Sequence, residues 1–228
     1  MHRLCRGLTN VRVDFQFLLT KQDNRSYYVG MLISKKKEAK KDILLSHGVK
    51  LLMQQGYHGT GLQEILDAAS IPKGSFYNYF ASKEDFGAAV IQHYIDPYIR
   101  QLSACLQQPE ADALTAIVNY FDRLVSELEQ NDYQGGCLLG NLMGEIGDTS
   151  EVCQKSLQTA VERYRDLLQT GLARAQQQGA IRQDKSAKEM ADLLVNTWQG
   201  ALLRSKIDKS SAPAKQCCQD LLDDYFRA

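Results

Sequence analysis

Apolar residues recur at three- and four-residue intervals along almost the whole chain, and only four prolines, at 72, 97, 109 and 213, interrupt its 228 residues. That interval is one face of an α-helix rather than the two-residue alternation of a half-buried strand. The expected fold class is therefore all-α. Behind residue 82, helices are expected near 83–107 (bent at Pro97), 112–130, 137–147, 150–178, 186–207 and 213–226. Gly179 stops one of them, and Ser186 with Glu189 forms a capping box for the next.

The front of the chain reads differently. A basic run from Lys35 to Lys41 leads into a helix whose Leu44, Gly48, Leu51 and Leu52 share a face and which closes at Gly56. Thr60 and Gln63 match a capping box, and Leu62, Ile65, Leu66 and Ala69 follow as the buried stripe of a short helix. Ser70-Ile71-Pro72 breaks it, with Pro72 placed to open a third helix, Lys73 to Phe80, that buries Phe76 and Phe80. Lys73, Ser75, Tyr77 and Asn78 are then left outside, and Ser82 to Asp85 caps a long fourth helix. Two short helices joined by a tight turn, the first apolar on one side and the second polar outside, make a helix-turn-helix. The second helix of such a unit fits the major groove of DNA, which displays base-edge donors and acceptors. Lys73 can meet phosphate or guanine, Tyr77 and Asn78 can bond bases or backbone, and Gly74 permits close approach. Thr60, with the free amides at its helix start, is expected to be an anion site.

Charge supports this division. The net charge is zero, yet residues 31–80 hold seven Lys/Arg against four acids, whereas 81–228 hold fifteen against twenty-one. A basic module on an acidic body suits a protein that meets phosphate at one end. Six cysteines (5, 105, 137, 153, 217 and 218) include no C-x-x-C pair, which fits free thiols in a reducing cytoplasm. No apolar run is long enough for a membrane span, and no metal-ligand spacing, phosphate-cradling glycine loop or dinucleotide fingerprint occurs. No cofactor or metal is expected. Residues 1–30 lack helical periodicity and are expected to be a poorly ordered extension, with 31–82 the helix-turn-helix domain and 83–228 a helical sensor and dimerisation domain.

The segments Thr60 to Leu66, Ile71 to Phe80 and Ser82 to Asp85 together resemble the N-terminal signature of TetR-family transcriptional regulators, over about residues 38–90. The resemblance implies a homodimer on a palindromic double-stranded operator, usually a repressor released when a small molecule binds the C-terminal domain. It implies DNA contacts at Lys73, Tyr77, Tyr79 and Lys83, the last two on phosphate, and Gly61 is a minor departure from the family pattern. The expected DNA-facing set is thus Thr60, Gly61, Lys73, Gly74, Ser75, Tyr77, Asn78, Tyr79 and Lys83.

Gly135 to Leu142, around Cys137, resembles the branch of that family containing the repressor of N-ethylmaleimide reductase, whose members include sensors of reactive electrophiles. Two glycines would bring Cys137 to a helix start, where the macrodipole favours thiolate and lowers the pKa. Cys137 is therefore a sensor candidate, with packing as the competing role. Lys206 is a candidate for a nearby positive charge, and Cys105 and Cys153 are expected to pack. Trp198 and Gly200 read as packing at a helix crossing, and Leu193, Leu194, Ala201, Leu202, Leu221, Leu222 and Tyr225 offer a dimer surface on the last two helices. Three alternatives stand beside an electrophile-controlled regulator: a regulator with a reversible ligand pocket, a thiol enzyme using Cys137, and a dimer that has lost DNA binding. None of His2, His47, His58 and His93 is placed as a base for Cys137, which argues against the enzyme.

Overall fold

The computed structural model describes residues 21–108 and 112–227. The chain divides into two units, 1–40 and 41–228. Helix α1 spans Lys21–Gly59. Its described part takes in ten residues ahead of the expected boundary at Met31. Residues 1–20 of the expected extension lie outside the described residues.

The second unit continues with α2 (Leu62–Ala68), a 3-10 segment (Lys73–Asn78) and α3 (Lys83–Leu106). Behind these come α4 (Ala113–Gln130), α5 (Leu138–Ile146), α6 (Glu151–Gln177), α7 (Ala187–Asp208) and α8 (Ala212–Cys218), which runs on into a π-helical turn at Gln219–Tyr225. The described residues contain helices and turns only, as the apolar spacing requires. Starts are set by local chemistry: the Ser82, Asp112, Ser150 and Ser186 side chains accept from the amides of Asp85, Thr115, Cys153 and Glu189. Ser186 and Glu189 complete the expected capping box. Past α6, the amide of Ala180 reaches back to the carbonyl of Ala175 at 3.0 Å, and Gly179 takes the left-handed conformation there (φ 71°).

One core runs from Leu44 to Phe226. α3 packs chiefly on α6, and α6 in turn on α7. Gly48 on α1 gives the ring of Phe86 its place, since a Cβ there would come within 2.8 Å of Val90 Cγ2 and closer still to Phe86.

Two local expectations are corrected. Gly61, not Thr60, caps α2, and no side chain caps it. The Thr60 hydroxyl instead donates to the carbonyl of Gly56 at 2.6 Å, and Gln63 bonds Asp67. The segment from Lys73 is a 3-10 helix, not an α-helix, closed by amide bonds from Ser75 to Pro72 (2.8 Å) and from Tyr79 to Phe76 (2.9 Å). These i, i+3 bonds hold the short segment with Phe76 buried.

The expected dimer surface also changes. Leu194, Ala201, Leu221 and Leu222 are buried in the chain's own core. The outer face of α7 is instead Leu193, Thr197, Gly200, Arg204 and Ile207, spaced by three and four, with Ile207 77% exposed. A side chain at Gly200 would meet open space in one chain, so it can report on assembly without disturbing the fold. If two copies meet on this face, Gly200→Arg should give monomers with native helical content, read by light scattering and circular dichroism. A dimer for that variant would move the interface elsewhere.

Candidate DNA-reading face and sensor cavity

On the 3-10 segment, Lys73, Gly74, Tyr77 and Asn78 are exposed, Ser75 and Tyr79 are half-buried, and Phe76 and Phe80 are buried. The rings of Phe76, Phe80 and Phe86 form a triangle with centroid separations of 5.5, 5.8 and 5.0 Å. Tyr77 stands edge-on to Phe76 at 5.5 Å and remains 67% exposed, so the buried ring orients the outward one. Neither Gly61 nor Gly74 would present a Cβ to any neighbouring atom within 4 Å, leaving the backbone open on that side. Lys41, with its Nζ 5.3 Å from the centre of the Phe80 ring, adds positive charge nearby.

Two members of the expected contact set are placed otherwise. Thr60 is fully buried, so its hydroxyl cannot meet a phosphate. The Lys83 ammonium turns inward, donating to the carbonyl of Tyr57 at 2.7 Å and lying 4.5 Å from the centre of that ring. Burial lowers its pKa, with the Glu145 carboxylate acting in the opposite direction. Lys83 thus fastens the turn that follows the break in α1 at Gly56 to the start of α3.

That turn is held from a second side. Gly56 leaves the helix (φ 76°, ψ 178°), and the amides of Tyr57 and His58 donate to the two oxygens of Glu145 at 2.8 and 2.6 Å. A Cβ at Gly56 would lie 2.7 Å from Glu145 Oε2, so only glycine both adopts this conformation and admits the carboxylate.

Behind the reading segment, α3, α4, α6 and α7 enclose a cavity of about 150 Å³ walled by Tyr94, Tyr98, Tyr120, Tyr164, Trp198 and Cys137, with Glu127 at its edge. Phe121 backs Trp198 edge-on at 4.9 Å. Burial is the main cause that pushes all four tyrosine hydroxyls above the usual phenol range, so they are neutral donors and acceptors at neutral pH. The Tyr120 hydroxyl is fully buried beside the Tyr164 hydroxyl. An aromatic wall carrying neutral phenol hydroxyls fits a small uncharged ligand that carries an acceptor oxygen.

Cys137 is the N-cap of α5, reached through Gly135 (φ 82°) and Gly136 (φ 68°). Its thiol is buried, and burial raises its pKa against the pull of the Leu139 and Gly140 amides and the Tyr94 hydroxyl. The expected low pKa is therefore corrected: desolvation outweighs the helix start. Lys206, half-buried on α7, lies alongside, its Cδ 3.3 Å from where a Cβ of Gly136 would stand. Lys206 is thus a neighbour of the residue before Cys137, while the groups on the thiol itself are the Leu139 and Gly140 amides and Tyr94. Cys105 and Cys153 are buried, the latter with its thiol directed at the carbonyl of Glu84, 3.5 Å away. Burial, with Cys217 alongside, raises Cys218 to about 12.

Glu145, Tyr57 and the four cavity tyrosines went unmarked in the sequence, because within each helix their spacing is that of ordinary core. Only Tyr94 and Tyr98, one helical turn apart, carry a local signal.

Residues 44–90 match the family described as bacterial regulatory proteins, tetR family, and residues 113–221 match a tetracyclin repressor-like C-terminal domain. The transcriptional repressor DhaR of Mycobacterium sp. (strain GP1) is 35% identical over 173 residues, covering 76% of this chain and 85% of that one. This chain belongs to the TetR family. The repressor NemR of Escherichia coli K12 is 32% identical over 170 residues, covering 75% and 85% of the two chains. The reduced form of E. coli NemR superposes with a TM-score of 0.74 at 30% identity, covering 80% of this chain and 95% of that one. These relatives are named as repressors, and the TetR-family chain is a helix-turn-helix transcriptional regulator and not an enzyme. None of its described helices is long and apolar enough to cross a membrane.

Alanine at Lys73 or Tyr77, both on the exposed face of the regulator's reading segment, should weaken operator binding by about 1–3 kcal/mol without changing the melting temperature. Lys83→Ala should instead lower the melting temperature, because it releases the Tyr57 carbonyl. Gel-shift titrations beside thermal melts separate the two outcomes, and an unchanged affinity for both Lys73→Ala and Tyr77→Ala would contradict the placement of the reading face.

Proposed function

We propose that the regulator is a cytoplasmic repressor that holds a palindromic operator as a homodimer and leaves it when a small electrophile enters the cavity and reacts with Cys137. Residues 31–82 serve as the DNA-reading domain and 83–228 as the sensing and dimerising one. Gly61, Lys73, Gly74, Ser75, Tyr77, Asn78 and Tyr79 form the DNA-facing set, with two copies needed for two half-sites one helical turn of DNA apart or a multiple of it. Thr60 and Lys83 belong to the support of that face.

The observation that carries the sensor reading is the position of the Cys137 thiol in the cavity wall, facing the amides of Leu139 and Gly140 and the Tyr94 hydroxyl. Those donors steady the thiolate once it forms, while burial keeps the resting thiol protonated and selects molecules small and apolar enough to enter. With N-ethylmaleimide, the sulfur adds to one alkene carbon, the π bond breaks, and the other carbon takes a proton. The adduct fills a cavity of about 150 Å³ and forces its walls apart.

A second reading, reversible binding of an unreactive ligand, is favoured by the four neutral phenol hydroxyls in the cavity wall. One comparison separates them. Cys137→Ser should bind operator as the wild type does and stay bound when N-ethylmaleimide is added, whereas Cys105→Ser should be released normally. Release of Cys137→Ser as readily as wild type leaves the reversible pocket as the sensor.

A further inference from the structure

Helix α5 has a different attachment at each end. At its start, Cys137 and Leu139 line the cavity. In its last turn, Glu145 holds the amides of Tyr57 and His58, the two residues that follow the break at Gly56 and lead into α2. Between them, Leu138, Leu142 and Ile146 are all 1% exposed or less, so the helix is gripped along its length. Nine residues at about 1.5 Å each make a stiff element of roughly 13 Å.

The Glu145 contact is built on both sides. It spans 88 positions of sequence and joins a carboxylate to two adjacent backbone donors, a charge-assisted and geometrically demanding pair. Gly56 makes room for it, and Lys83 draws in the Tyr57 carbonyl from the opposite side of the same peptide segment. Bonds of 2.6 and 2.8 Å lose most of their strength when lengthened by about 1 Å, so a small displacement of α5 releases both donors together.

We propose that Glu145 is the positioning residue through which the cavity governs the DNA-reading segment, with α5 as the strut between them. The proposal rests on the reading of the cavity as the inducer site. When a molecule bound at Cys137 pushes the head of α5, the Glu145 carboxylate withdraws and the Tyr57–His58 turn loses its fixed geometry. α2 and the 3-10 segment, which are packed on each other directly beyond that turn, then lose the orientation that presents Tyr77 and Lys73. Coupling of this kind is reciprocal, so loosening the Glu145 end must also open the Cys137 end.

The reciprocal direction gives the test. In the full chain, Glu145→Ala should let N-ethylmaleimide label Cys137 about tenfold faster than in wild type, the change expected from losing a charged hydrogen-bond pair that resists opening. Cys105, in the core of α3 away from the strut, should label at the wild-type rate, and Tyr57 and His58 should lose amide-exchange protection. Glu145→Gln, which keeps an acceptor oxygen, should label more slowly than Glu145→Ala. Equal Cys137 rates in wild type and Glu145→Ala, including no labelling in either, would overturn the proposal, as would an equal acceleration at Cys105. A chain that shows the linkage but is not displaced from operator DNA by N-ethylmaleimide fails the proposed function alone. A chain that is displaced without showing the linkage fails the strut alone.

Discussion

Phe86, in the first turns of α3, packs its ring against Phe76 and Phe80 of the reading segment and beneath Gly48 of α1. Two turns further on, the same helix presents Tyr94 and Tyr98 to the cavity. One helix therefore belongs to the core that shapes the DNA face and to the wall of the sensor. No flexible linker separates them, and the buried residues form a single cluster from Leu44 to Phe226. Close packing of that kind transmits displacement, because side chains at interior density have no free volume into which a push can be absorbed. The consequence is that a molecule placed in the cavity would touch a helix that also packs on the Lys73–Asn78 segment.

Burial decides the chemistry of the cavity. A thiol at a helix start among polar donors would be acidic at a surface, but enclosed by tyrosines and Trp198 it is not. The four phenols are kept neutral by the same desolvation, so the site meets a ligand with hydrogen bonds and a protonated sulfur rather than with fixed charge. Selectivity among ligands would then come from fit to these walls.

The helices from 83 onward were legible in the sequence to within about two residues, since capping serines and a glycine stop are local signals that tertiary structure did not override. The helix-turn-helix and its exposed Lys73, Tyr77 and Asn78 were legible for the same reason. What escaped was whatever depends on elements distant in sequence. Thr60 looks like a cap until the Gly56 carbonyl is seen beneath it, and Lys83 looks like a surface charge until the Tyr57 carbonyl is placed beside it. Leu194 and Leu222 carry the spacing of an interface, and the chain's own core took them. The low thiol pKa expected for Cys137 failed because a helix start can be read from residues, whereas its desolvation cannot. Glu145 had no local mark at all, because its partners lie 87 and 88 positions away.

Coupling between the cavity and the DNA-reading face is open to direct measurement. Trp198, the sole tryptophan in the chain, stands in the cavity wall and reports on it directly. Its emission should be followed while the wild-type protein is titrated with an operator duplex selected from random sequence by the protein itself. Coupling predicts a change in emission that saturates at the same duplex concentration as binding, and that N-ethylmaleimide reverses as it releases the DNA. Emission that stays constant through saturation with duplex would contradict the account.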